Sequence, residues 1–162
     1  MDAIEPVPAT FRWTLSMAIG NALILLTAAV LGAIADLYAI RKRLLFLTTI
    51  FCIFFTTLLA MPQVGDIGLA MFFVICSYFM FASGENLIAA YLPELTEAKH
   101  IGRLSGYGWA LGFLGGLLTL ALCLFYINTA EASGKQPEQY IPMTMLIVAV
   151  TFLVSALPAF IW

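Results

Sequence analysis

Five long apolar stretches dominate this 162-residue chain and decide what it can fold into. Each is long enough to cross the hydrocarbon core of a membrane, which takes about 20 helical residues. A composition that is 63% hydrophobic and only 10% charged leaves too little polar surface to coat a soluble protein of this size. Lipid cannot satisfy unpaired backbone groups, so the stretches are predicted to be helices. They cover residues 14–35, 44–61, 67–91, 104–127 and 141–162.

The predicted fold is therefore an all-α, polytopic membrane bundle that forms a single membrane domain over residues 1–162. Five of the seven cations fall in alternate loops on one side, and cytoplasmic loops carry such an excess. These five are Arg41, Lys42, Arg43, Lys99 and Arg103, whereas Arg12 and Lys135 fall on the other side. The bias predicts a multi-pass protein of a bacterial-type inner (plasma) membrane, with the N-terminus outside and Trp162 at the cytoplasmic face.

Two features of this topology predict that the chain is a fragment of a larger membrane protein. The acidic N-terminal segment MDAIEPVPAT would have to be translocated without help from a preceding helix. The last span stops at Trp162 without a cytoplasmic tail. We therefore expect further helices before the first span and after the last, and these helices are the expected partners, together with the lipid bilayer.

Several classes of function find no support in the sequence. Cys52, Cys76 and Cys123 lie inside predicted spans and are odd in number, which disfavours a disulfide framework. His100 has no ligand partners at metal-binding spacing, so no metal or cofactor is expected. No nucleophile, paired acid or phosphate loop points to an enzyme, and the cations are too sparse for nucleic acid.

One polar face interrupts the third span. Tyr78, Ala82, Glu85 and Ala89 recur at helical spacing, and Asn86 lies beside Glu85. An ionisable group that deep in a membrane span is a candidate functional residue by default. Glu85, Asn86 and Tyr78 are thus candidates to bind a substrate or a proton; the alternative is a structural hydrogen bond or an acid that reaches the inner interface.

The fourth span carries glycines four residues apart at Gly108, Gly112 and Gly116. Small residues at this spacing let another helix approach closely, which predicts a helix-packing stripe. Gly134, in contrast, lies in a polar external loop. Unless Gly134 needs a positive φ, a large side chain is expected to disturb position 112 more than position 134.

The loop between the first two spans resembles a known family. Gly32, Asp36, Arg41 and Lys42 are similar to the loop signature between the second and third helices of major facilitator superfamily transporters. In that pattern a glycine is followed by an acid four residues later and by cations after a turn. Ala39 stands where the family usually has glycine, which predicts a less tightly turned loop.

A second run strengthens the resemblance. The residues YLPE, which end at Glu94, are followed by Arg103 and by the run GWALGFLGG. This run is similar to the connection between the fourth and fifth helices in the vacuole-effluxer-like branch of that superfamily, named for an autophagy-related amino-acid exporter. Together the two runs align all five spans with helices two to six of a twelve-helix transporter.

The resemblance implies a function and roles for several residues. Such secondary transporters have two six-helix bundles that rock about a central site, and the third span here, with Glu85, would line the cavity of the N-terminal bundle. Gly32, Asp36, Arg41, Lys42, Glu94 and Arg103 would form a gating region at the cytoplasmic side. The expected function is transmembrane transport of a small solute, inactive in the fragment alone. The alternative is a small membrane interaction protein without transport activity.

Overall fold

The computed structural model describes residues 6–63 and 65–161, and within them every regular element is helical. The all-helical prediction is confirmed, and the helices mostly extend beyond the apolar stretches. The helices are α1 (Pro6–Leu37), α2 (Arg41–Leu58), α3 (Ile67–Leu95), α4 (Ile101–Ala132) and α5 (Pro137–Ile161), with a short 3₁₀ helix at Ala98–His100 before α4. The predicted position of Trp162 lies outside the described residues.

Four of the described helices, α1, α3, α4 and α5, are long and apolar enough to cross a membrane. The sequence predicted five such helices, and α2 is the difference. It has 18 residues, and Arg41, Lys42 and Arg43 fill its first turn. The 15 residues that remain carry no charge and include four threonines. They extend over about 22 Å at about 1.5 Å per residue, which is short of a hydrocarbon core of about 30 Å.

The helices lie in a row in the order α1, α3, α2, α5, α4, so that α4 occupies an edge and packs mainly against α5. The side chains that are most buried between them are mostly small. They are Ser16, Ala35, Thr48, Cys52, Ser83, Ala130, Thr144 and Ala149, together with the larger Leu87 and Tyr140. Small residues at the contacts let helix backbones approach closely, as is typical of helix packing in membranes.

Many large apolar side chains are instead exposed on the outside of the bundle. Leu25 is 80% exposed, Trp109 is 74% exposed and Leu111 is 70% exposed. A water-soluble protein does not leave apolar surface of this extent uncovered, because hydrophobic burial is the main favourable term in its folding. The distribution of side chains therefore agrees with the four apolar helices in indicating a membrane protein.

Two glycines on different helices set the central crossings. A Cβ atom at Gly20 in α1 would lie 2.8 Å from Cδ1 of Tyr78, so the ring of this α3 residue rests directly on the α1 backbone. A Cβ atom at Gly84 in α3 would lie 3.3 Å from Oγ1 of Thr48 in α2. A hydroxyl pair joins α2 to α3 further along, where the oxygens of Thr56 and Ser77 are 2.8 Å apart.

Within this chain we expect the opposite ranking of substitutions at Gly112 and Gly134 to the one predicted from the sequence. Gly134 has a φ of 76°, so the condition attached to the prediction is not met, and a Cβ atom at Gly112 would meet nothing within 4 Å. Gly134→Ala is expected to lower the free energy of unfolding by about 1 kcal/mol, because L residues pay for the left-handed conformation. Gly112→Ala is expected to raise it by up to about 1 kcal/mol, because alanine is the better helix former.

Thermal unfolding in detergent, followed by circular dichroism at the helix bands, measures both changes. The wild-type chain is the common reference, and both substitutions add one methyl group. The opposite ranking, with Gly112→Ala as the more damaging change, would show that another chain packs against the stripe in the detergent-solubilised protein.

Candidate charge cluster and intramembrane acid

One arginine ties the ends of three helices together. The Nε of Arg41, at the start of α2, donates a hydrogen bond of 2.7 Å to Oδ1 of Asp36 near the end of α1. Its Nη1 donates to Oε1 of Glu94 near the end of α3 and, at 3.2 Å, to the carbonyl oxygen of Ala90. We call Asp36, Arg41 and Glu94 the charge cluster, and the end of the bundle that holds it the Arg41 end.

The turn between α1 and α2 brings Arg41 back onto Asp36. Only residues 38–40 separate the two helices, and Ala39 has a φ of 51°, the left-handed conformation in which glycine is least strained. The backbone N–H of Ile40 donates to the carbonyl oxygen of Ala35 at 3.2 Å, which closes the end of α1. The loop is thus tightly turned although it lacks the glycine. That it is looser than the loop of the family stays a prediction.

The charge cluster positions helices more than it stabilises them. Arg41 is 22% exposed, whereas Asp36 is 55% exposed and Glu94 is 52% exposed. Exposed ion pairs contribute about 1 kcal/mol or less, because water already solvates both charges well. The hydrogen bond to Asp36, together with the negative charges of Asp36 and Glu94, outweighs desolvation and raises the pKa of Arg41, which therefore remains charged at physiological pH.

Arg41→Gln is expected to lower the free energy of unfolding more than Lys99→Gln does, since it removes two ion pairs and the bond to the carbonyl oxygen of Ala90. Arg41→Lys keeps the charge but lacks the planar fork, so it should recover only part of the loss. Unfolding of the detergent-solubilised chain measures both. Lys99→Gln is the control, because Lys99 pairs with Glu97 and both side chains are exposed. Equal effects of Arg41→Gln and Lys99→Gln would mean that the charge cluster holds nothing together.

The other three predicted gating residues do not share the hydrogen bonds or ion pairs of the charge cluster within the described residues. A Cβ atom at Gly32, one turn before Asp36, would meet nothing within 4 Å. Lys42 is exposed and faces a small cavity beside α5. Arg103 in α4 donates to the hydroxyl of Tyr107 at 3.0 Å, and its guanidinium lies 5.5 Å from the centre of that ring. Arg103 is therefore engaged within its own helix.

The three candidate site residues in α3, Tyr78, Glu85 and Asn86, lie in two different environments. The hydroxyl of Tyr78 donates to Oδ1 of Asn21 in α1 at 3.0 Å, so Tyr78 joins two helices. Glu85 and Asn86 are exposed, and no ion pair or hydrogen bond of their side chains is found within the described residues. Glu85 lies seven residues after Tyr78, about 10 Å further along the helix axis.

The glycine stripe of α4 is also uncovered. Cβ atoms placed at Gly108, Gly112 and Gly116 would each meet nothing within 4 Å in the part of the chain that the structure describes. Packing of this stripe against another helix stays a prediction, and it requires a helix that is not among those described.

The sequence reasoning missed an open cavity of about 1020 Å³ at the end of the bundle opposite the charge cluster. Parts of α1, α3, α5 and the α2–α3 connection line it. Arg12, Asp66 and Glu138 supply charges of both signs, whereas most of the remaining lining is apolar. No periodic pattern marks these residues, because each segment contributes only a few side chains near its end. Glu85 does not line this cavity.

Comparison of the chain with known proteins finds no matching family model, no matching curated protein and no matching solved structure. The function of the chain is therefore inferred from its residues and their geometry.

Proposed function

We propose that this chain forms part of the N-terminal bundle of a major-facilitator-type secondary transporter, which carries a small solute across the membrane. The observation that carries the proposal is the charge cluster, in which Arg41 joins the ends of α1, α2 and α3. A rigid group of helices tied at one end is the unit that a rocking mechanism moves. Asp36 and Arg41 are also the residues on which the resemblance to the family's loop signature depends.

The uncovered acid in α3 supports the proposal. A carboxyl group in a membrane helix is costly next to lipid, so such groups face protein, a water-filled cavity or a bound ion. Glu85 and Asn86 face none of these within the described residues, which favours a second group of helices against this side of α3. In the proposed transporter that space is the transport pathway, and Glu85 binds the solute or a coupling proton.

In the proposed topology all five helices cross the membrane, with the Arg41 end in the cytoplasm and the N-terminus outside. The shorter α2 crosses where the bilayer thins locally and the cations of its first turn reach the headgroups. We expect single cysteines at positions 42 and 100 to be inaccessible from outside and a cysteine at position 135 to be accessible, because the cation bias sets the orientation. A membrane-impermeant maleimide applied to intact cells in a background without Cys52, Cys76 and Cys123 measures this. Labelling of position 42 from outside would overturn the orientation.

The test of transport uses the complete reading frame that encodes this chain, purified and reconstituted into liposomes with an imposed pH gradient. Pools of labelled amino acids, sugars and organic acids are offered in turn. We expect uptake of at least one pool above protein-free liposomes and collapse of that uptake when a protonophore removes the gradient. A reading frame that encodes no further spans, together with no uptake of any pool, would reject the proposal.

The uncovered glycine stripe favours a second candidate, a membrane interaction protein that docks one partner helix and transports nothing. A cysteine at position 112 distinguishes the two. Cross-linking to a different membrane protein in native membranes supports the interaction protein, whereas cross-linking within the same polypeptide supports the transporter.

A further inference from the structure

A cationic pocket lies at the Arg41 end, beside the charge cluster. Asp36 and Glu94 neutralise Arg41, but Lys42 and Arg43 are exposed and form no ion pair within the described residues. Both line a cavity of about 460 Å³ between the start of α2 and the end of α5. They are thus the uncompensated charges of the first turn of α2, where the first backbone N–H groups of a helix also lack intrahelical partners.

The other described residues that line the cavity are apolar. Phe46 and Leu47 line it from α2 and Phe160 lines it from α5. The rings of Phe46 and Phe160 meet edge to face, with centroids 5.2 Å apart. They join α2 and α5 about one helical turn below Lys42 and Arg43. The cavity therefore places two cations at the end of the bundle and an aromatic wall one helical turn deeper.

We propose that this cavity binds the headgroup of an anionic phospholipid, whose acyl chains lie along Phe46, Leu47 and Phe160. Two positive charges above an apolar wall match an amphipathic anion at the level where a membrane helix meets the headgroups. A free phosphate ion would use the cations alone and gain nothing from the aromatic wall. The same chemistry does not favour a zwitterionic lipid, because none of the described residues that line the cavity has a carboxylate to receive its ammonium group.

The experiment measures lipid retention by native mass spectrometry of the purified chain, titrated with phosphatidylglycerol or phosphatidylcholine in detergent. We expect preferential retention of phosphatidylglycerol. The double variant Lys42→Gln with Arg43→Gln should retain it about 30-fold more weakly, since each cation at an anionic surface contributes about fivefold. The matched control is Lys99→Gln with Arg103→Gln, which removes the same charge from the same end of the bundle outside the cavity.

Further measurements separate the possible sources of the anion. Inorganic phosphate in large excess should not displace phosphatidylglycerol, whereas displacement would identify a site for free phosphate. Phe160→Ser should weaken retention of the lipid, because it removes part of the aromatic wall, whereas a site for free phosphate would not be affected by this change. Circular dichroism verifies folding, and the single variant Lys42→Gln, with an expected loss of about fivefold, serves if the double variant does not fold. Equal losses in the matched control, or no preference of the wild-type chain for phosphatidylglycerol, would overturn the proposal.

Discussion

Glu85→Gln is expected to abolish most of the transport by the proposed transporter while leaving its folding and membrane insertion intact. The amide keeps the shape of the side chain and much of its hydrogen bonding, but it can neither carry a negative charge nor take up a proton. If Glu85 binds the solute or a coupling proton, uptake should fall by about tenfold or more, or should lose its dependence on the pH gradient. The 162-residue chain alone is expected to transport nothing in either form.

The measurement is uptake by proteoliposomes at several internal and external pH values, with the amount of inserted protein determined for each preparation. Glu97→Gln is the control, since Glu97 is an exposed acid after α3 that pairs with the exposed Lys99. Uptake by Glu85→Gln that equals the parent at every pH would make Glu85 a structural residue. Equal losses in both variants would point to surface charge.

The charge cluster could be predicted from the sequence because its members lie next to helix ends. Asp36 and Arg41 flank one short turn, and Glu94 lies near the end of an apolar stretch on the same side. Charge bias and span counting are enough to bring such residues to one end of the bundle. Arg103 met the same criteria, but its side chain donates to a hydroxyl four residues later on its own helix.

The span of α2 and the large cavity could not be predicted in the same way. Hydropathy predicts residues 44–61 as a span, but the helix begins three residues earlier, at the cations, and ends at Leu58. The limits of a helix depend on local backbone bonds that an apolar run does not specify. The cavity arises from the distance between packed helices, and no single segment encodes that distance.

The close contact between Gly20 of α1 and Tyr78 of α3 also could not be predicted from the sequence, because Gly20 is one glycine within a long apolar run. Its importance appears only when its neighbour is known. The ring of Tyr78 lies against the Gly20 backbone, and the hydroxyl of the same ring donates to Asn21. The ring is therefore held at both ends and cannot turn aside without losing that hydrogen bond.

Gly20→Val is accordingly expected to lower the free energy of unfolding by about 2 to 3 kcal/mol, because its Cβ atom would lie 2.8 Å from Cδ1 of Tyr78. Gly32→Val is the matched control on the same helix, where a Cβ atom would meet nothing within 4 Å. It should change the free energy of unfolding by about 0.5 kcal/mol or less, since valine is no worse a helix former than glycine.

Unfolding of the four chains of a double-mutant cycle, with Tyr78→Ala as the second substitution, isolates the contact. Tyr78→Ala removes the ring that valine meets, so it should be less damaging in the Gly20→Val background by about 1 kcal/mol or more. Additive effects of the two substitutions would mean that the ring does not lie against Gly20. A loss of stability in Gly32→Val equal to that in Gly20→Val would attribute the effect to valine in α1 and remove the α1–α3 crossing as its cause.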